Sequence, residues 1–494
     1  MIYTITYNNL GGRSIRLSNI RKNFAYSVSY QILIIILPLI TSPYVSRVLG
    51  ASGLGAYAYT NSISSFVAMF GLLGISNHGS RTVAALGNNK KKRSEAFWNI
   101  WTIQALFTII TLIAYIIYVI FFCKTEYQTL FFVEIMVILS TLFDISWFFF
   151  GIEKFKLTAT RSSLMTLLSF ILIFILVRDK NDIIWYTTIL VTGTLISNII
   201  LWPCLKSEVN FVKPKIQKIL PHLKPAFIMF LPVLGVSIYK RMDKIMLGYM
   251  TEVSEVGLYE NAEKTITIPM GVIAALGNVM LPKMSYLFAN KSKEKINWYM
   301  HKSMEFTSCI SSAMAFGIAA IANCFSPVFF GKEFTATGTL IMILSPTIIF
   351  ISWASVIKTQ YLIPIHRDKE FIISVCLGAI TNLMLNTLLI PQAGAKGAAI
   401  GTFFAELSVM LYQTFCIRNE LPIIKYVKNS SFYFFAGLLM YIIVKTTESI
   451  LKVNGISLII IETIVGGIIY CTLCGAFIWK KYRYMIKHII IRKK

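Results

Sequence analysis

Between Ser237 and Tyr249 the chain reads SIYKRMDKIMLGY, which places Lys240, Arg241, Asp243 and Lys244 within five residues. The next apolar run carries Glu260, Glu263 and Lys264 near its start. Glu260 and Lys264 stand four apart with the acid first, the order that favours a helical ion pair. Cations in such a group can hold a phosphate or another anion, and carboxylates accept hydrogen bonds from hydroxyls. A charge at the centre of a bilayer costs about 2.5 to 3.5 kcal/mol on insertion scales. Inside a membrane these groups must therefore line a wet cavity, or else pair with one another and snorkel to an interface. Both readings stay open on the residues alone.

Other polar groups sit within apolar runs. Arg47 ends the first run at a position parallel to the Lys240–Lys244 group, where it is either a cavity cation or an interface anchor. Asp144, near Trp147, and Glu406 lie well inside their runs, so each is a possible ion-coupling carboxylate or a helix-packing hydrogen-bonder. Lys358 either meets substrate or snorkels. Gln31, Asn61, Asn77 and Gln360 read as interhelical glue. Cys471 and Cys474 form a CxxC inside an apolar helix without a second ligand pair, which reads as packing rather than a metal or redox site.

The elements that must position these residues follow from hydropathy. The chain has 494 residues, 56% of them hydrophobic and 14% charged, with a mean hydropathy of +0.68. A membrane span needs about 20 apolar residues, and runs of that kind fall at 24–48, 54–77, 97–122, 128–151, 157–177, 183–204, 225–249, 257–283, 303–325, 335–362, 370–390, 395–417, 430–447 and 456–479. These predict an all-α polytopic membrane protein of about fourteen transmembrane helices, since a backbone in lipid must satisfy its own hydrogen bonds.

The net charge of +25 does not point to nucleic acid. Most of the 47 Lys and Arg fall before the first run, after even-numbered runs, as in the KKKR at 90–93, and in the tail. That alternation is the positive-inside pattern and predicts both termini in the cytoplasm, with the basic loops against anionic headgroups. The polar first 23 residues followed by a long apolar run predict no cleaved signal. Loops reach only about twenty residues, and there is no Walker, GxSxG or HExxH motif. A soluble catalytic domain and an ATP-driven pump are therefore not expected, nor is a resident cofactor or metal.

Residues 37–74 and 231–277 share an order of features: Leu-Pro, charges, Leu-Gly, Gly-Leu, then a polar start to the next run. This suggests a parallel repeat. The expected organisation is a cytoplasmic segment 1–23, a six-helix half 24–204, a basic linker 205–224, a second six-helix half 225–417, two further helices over 430–479 and a basic tail 480–494.

The blocks YVSRVLGASGLGAYAYTNSI, GISNHGSRTVA, DISWFFFGIEKFK, DKIMLG, VGLYENAEK, VMLPKMS and QYLIPIHRDKEF followed by NLMLNTLLIPQAGAKGAAIGTFFAEL occur in order from residue 24 to about 417. They resemble bacterial polysaccharide flippases of the Wzx type, in the superfamily of lipid II flippases and multidrug and toxin extruders. The last two runs match only in hydrophobicity.

The resemblance implies a transporter rather than an enzyme. Its cargo would be an undecaprenyl-diphosphate-linked oligosaccharide, moved from the cytoplasmic to the outer leaflet by alternating access for capsule or a similar polymer. It further implies a bacterial cytoplasmic membrane, a coupling ion (Na+ or H+), and a polysaccharide polymerase and other assembly proteins as partners. On this reading Arg47 from one half and Lys244, with Lys264, from the other hold the diphosphate. Arg241, Asp243, Glu260 and Glu263 complete the substrate site, with Asp144 and Glu406 for the ion. The alternatives are a cation-coupled drug exporter, which should favour acidic and aromatic cavity residues, and a membrane polymerase or glycosyltransferase.

Overall fold

A glycine breaks the first long helix. In the computed structural model, which describes residues 11–492 apart from 452 and 454, helix Gly11–Leu72 runs through Gly50 at φ 69° and ψ −178°. Only glycine takes that conformation without strain. The break leaves the Ala51 N–H without a helical acceptor, and the Glu333 carboxylate accepts it at 3.1 Å. The same device recurs at Gly394, φ 55°, where the Ala395 N–H donates to Glu255 at 2.8 Å. In both turns a carboxylate meets the positive end of a new helix.

All fourteen predicted runs lie on helices, and no strand occurs among the described residues. Twelve helices there are long and apolar enough to span a membrane, or thirteen if Lys332–Leu344 and Thr347–Leu362, bent by 43° at Ser345–Pro346, form one span. The lower count arises because Ile36–Ala85 is counted once, although the non-helical Gly50 divides it into two helices that carry two of the predicted runs. The protein is a multi-pass membrane protein. Residues 1–10 of the expected N-terminal segment and 493–494 of the tail lie outside the described residues.

The chain packs as two compact units: Met1–Thr41 with Ile63–Leu234, and Ser42–Ser62 with Gly235–Lys494. The sequence-based halves were drawn contiguously, at 24–204 and 225–417, whereas Ser42–Ser62 packs in the second unit. Two glycines explain how. A Cβ on Gly55 would overlap the Val253 carbonyl oxygen and one on Gly257 the Ala51 carbonyl, so the two helices cross backbone to backbone. Gly248 likewise makes room for the Tyr59 ring.

In the first unit the core is aromatic: Phe97 stacks on Trp147 at 5.5 Å and meets Phe148 and Trp202 edge-on. In the second, helices Asp368–Ala393 and Ala395–Ile417 form a tight hairpin about Gly394. Helices Ile423–Ile450 and Ile456–Arg492 pack on Lys293–Phe329 through Tyr433, Met440, Tyr470 and Cys474.

Candidate functional site

The second unit concentrates the intramembrane charge. Asp243, on helix Ile216–Met250, is 4% exposed and accepts four hydrogen bonds. Its Oδ1 receives the Asn382 amide at 2.8 Å and the Asn386 amide at 2.6 Å. Its Oδ2 receives the Tyr259 hydroxyl at 2.6 Å and the Thr402 hydroxyl at 2.7 Å. Four helices thus meet at one carboxylate, which loses its hydration but keeps a full set of donors. Asn382 and Asn386 stand four apart and so share a helix face.

At the next residue, Lys244 Nζ lies 2.9 Å from Glu260 and 2.9 Å from Glu263. Lys264 Nζ lies 3.1 Å from the other Glu260 oxygen, in the helical pair that the spacing predicts. Two lysines face two carboxylates, and the charges close on one another. Lys244 is therefore already engaged by acids.

Beside this group is a cavity of about 360 Å³, within the range of small-molecule sites. Its wall includes Lys240 and Lys358, the carboxylates of Asp243, Glu263 and Glu406, and the hydroxyls and amide of Tyr259, Thr347, Ser355, Thr402 and Gln413. Lys358 stands 5.1 Å from the centre of the Phe371 ring. It opens a π-helical turn, Lys358–Leu362, a geometry often found at functional positions. Glu406 is buried and makes no hydrogen bond or ion pair among the described residues. The wall thus offers cations to an anion and acceptors and donors to hydroxyls.

The remaining expected residues fall elsewhere. Arg47 is exposed, is absent from the cavity wall, and donates to the Val328 carbonyl at 2.6 Å. It belongs to the same compact unit as Lys244, so it does not supply a cation from the other half. The reason is the Gly55–Gly257 crossing, which no hydropathy pattern reveals. Arg241 hydrogen-bonds Ser237 at 3.3 Å, one turn back on its own helix. Asp144 lies in the first unit, at the end of helix Gln128–Phe143, where its carboxylate accepts the Ser146 N–H at 3.0 Å across the bend into helix Ser146–Gly151. The side chain of Gln31 lies outside the described residues.

Sequence reasoning did not single out Asn382, Asn386, Tyr259 or Thr402. The Asn-x-x-x-Asn spacing inside an apolar run was the available signal.

Residues 20–288, more than half of the chain, match the polysaccharide biosynthesis protein family. The chain belongs to that family. A "Putative O-antigen transporter" of Shigella dysenteriae is 27% identical over 277 residues, 55% of this chain and 68% of that protein. One of the same description from Escherichia coli strain K12 is 24% identical over 407 residues, 81% and 97% of the two chains. Among solved structures, the lipid II flippase MurJ in an inward closed conformation superimposes with a TM-score of 0.77 at 17% identity, covering 94% of this chain and 99% of that one. At that identity the likeness shows the fold.

In this polysaccharide biosynthesis protein the family match reaches Asp243 and the Lys244–Lys264 group but ends before Lys358, Asn382 and Glu406. Outside the spans, Glu208 meets Lys154 at 2.7 Å and Arg93 at 3.9 Å. The Lys154 hydrogen bond holds its carboxyl below the ordinary range.

Proposed function

We propose that this member of the polysaccharide biosynthesis protein family is a flippase for lipid-linked oligosaccharides. Its cargo on this reading is an undecaprenyl-diphosphate-linked repeat unit, carried from the cytoplasmic to the outer leaflet of a bacterial cytoplasmic membrane, with both termini in the cytoplasm. The observation that carries the reading is the second-unit cavity, which sets Lys240 and Lys358 beside carboxylates and hydroxyl groups within membrane helices. The names of its relatives support it.

Lys240 and Lys358 would neutralise the diphosphate, and Glu263, Thr347 and Gln413 would take sugar hydroxyls, while the polyprenyl tail stays in lipid. Lys244, Lys264 and Glu260 would position Glu263, and alternating access would expose the cavity to each face in turn.

Coupling is assigned to the oxygens about Asp243. If the Asn382 and Asn386 amides turn their oxygens inward, they join the carboxylate and the Thr402 hydroxyl in an oxygen cage suited to Na+. Among the described residues the buried Asn386 Oδ1 has no partner, so turning it inward breaks no bond of its own. Glu406 is the corresponding choice for a proton, whereas Asp144, held by Ser146 in the first unit and absent from the cavity wall, is given no part here. A multidrug exporter would have little use for two lysines in the wall.

Deleting the gene and identifying the lipid-linked intermediate that accumulates on the cytoplasmic face tests the reading. A normal lipid-linked pool and intact surface polymer in the deletion strain would overturn it.

A further inference from the structure

A second cluster lies away from the cavity. It sits at the C-terminal ends of helices Lys293–Phe329 and Ile423–Ile450 and the N-terminal part of Ile456–Arg492. Cys324, Glu448 and Glu462 point at one another there, with the thiol and carboxylate ligand atoms all within 4.8 Å. The Cys324 thiol donates to Glu448 Oε1 at 3.2 Å, and Lys445 Nζ sits 2.7 Å from Glu448 Oε2.

Glu462 is the decisive residue. It is 1% exposed, and among the described residues neither of its carboxylate oxygens has a hydrogen-bond partner. A buried carboxyl in that position is costly unless something charged or hydrogen-bonding completes its surroundings. Among the described residues no hydrogen-bonding group does, and a Glu462 carboxylate oxygen lies within 4.8 Å of the Cys324 thiol and of a Glu448 carboxylate oxygen.

We propose that Cys324, Glu448 and Glu462 bind one divalent metal ion of the Zn2+ class. The donor set decides the class: a thiolate excludes Mg2+ and Ca2+, which take oxygen alone, and carboxylates complete a borderline-soft site. Zn2+ bonds of about 2.0 to 2.3 Å put the ligands of a tetrahedral ion roughly 3.5 Å apart, a small rotamer adjustment from the arrangement here. Charge also closes: one thiolate and two carboxylates carry −3, the ion +2 and Lys445 +1. The thiol proton leaves as the ion enters.

The three ligands come from three helices, so the ion staples the last two helices onto Lys293–Phe329. A fourth position remains for water. The proposal is independent of the transport reading and is tested without transport.

The full-length protein, purified in detergent, reduced and stripped with chelator, is titrated with Zn2+ alone and then with Cd2+ alone. Expected are one Zn2+ per chain, a rise in melting temperature on binding, and a Cd2+–thiolate ultraviolet charge-transfer band that saturates at one equivalent. Cys324→Ser abolishes the band and weakens Zn2+ binding at least about 100-fold, and Glu462→Gln, which keeps the shape of the side chain, weakens it similarly. Cys471→Ser, at an exposed cysteine outside the cluster, leaves the band unchanged. Absence of stoichiometric Zn2+ from the wild-type protein, or a band and affinity that survive both Cys324→Ser and Glu462→Gln, would overturn the site.

Discussion

Removing the charge of Asp243 should destabilise the second unit strongly, and two variants separate the causes. The carboxylate accepts four hydrogen bonds from four different side chains. A bond to a charged group contributes about 1.5 to 3 kcal/mol, a neutral one about 0.5 to 1.5, and a buried donor left without a partner costs about 1 to 3. Asp243→Ala removes all four charged bonds, leaving only the Asn386–Asn382 and Tyr259–Thr402 contacts to those donors, so its loss should be about 4 kcal/mol or more.

In Asp243→Asn the oxygen that remains can keep the two asparagine amides. The new amide then faces the Tyr259 and Thr402 hydroxyls, which rotate to accept. Its loss is mainly charge assistance, about 1 kcal/mol per bond at two to four bonds, or roughly 2 to 4 kcal/mol. Thermal unfolding of the purified protein in detergent should therefore rank wild type above Asn and Asn above Ala. Asparagine should also remove any stabilisation by Na+ that the wild type shows, because the cage loses its only charge. An Ala variant as stable as wild type would refute the hydrogen-bond reasoning. An Asn variant that keeps a Na+-dependent shift would refute the ion assignment alone.

Four further outcomes are expected. Lys240→Met and Lys358→Met should each weaken binding of the diphosphate-linked cargo about 10- to 100-fold, with Lys358→Arg retaining part; unimpaired polymer export in a complemented deletion strain, at matched membrane abundance, would remove them from the site. Gly55→Val should abolish the folded protein, read as loss of monodisperse material, because its Cβ would overlap the Val253 carbonyl. The Glu208–Lys154 pair should contribute up to about 1 kcal/mol. Since that carboxyl is lowered, the contribution is present above the ordinary carboxylate range and lost as pH falls through the lowered value, so the melting gap between wild type and Glu208→Gln should close in acid. Single cysteines near Lys91, Lys215 and Lys293 should resist an impermeant thiol reagent in intact cells while one near Ser254 reacts; the reverse pattern would invert the proposed orientation.

The sequence alone determined the membrane class and the placement of all fourteen helical runs, because hydropathy over 20 residues is a local property and a lipid-embedded backbone has few alternatives to helix. It likewise determined the Glu260–Lys264 pair, because i and i+4 meet on any helix. Tertiary structure decided the rest. Whether Lys244 is a spare cation depended on Glu263 reaching it from the next helix, and whether Asp243 faces lysines or amides depended on a helix whose Asn382 is 139 residues away along the chain. Arg47 joined the second unit because two glycines let helices touch, a packing fact with no periodicity to announce it. Cys324, Glu448 and Glu462 are each unremarkable in the sequence, and only the convergence of three helix ends makes them a set. Spacing along one helix is written in the chain, whereas the meeting of side chains from different helices is fixed by close packing, which depends on the shapes of all of them at once.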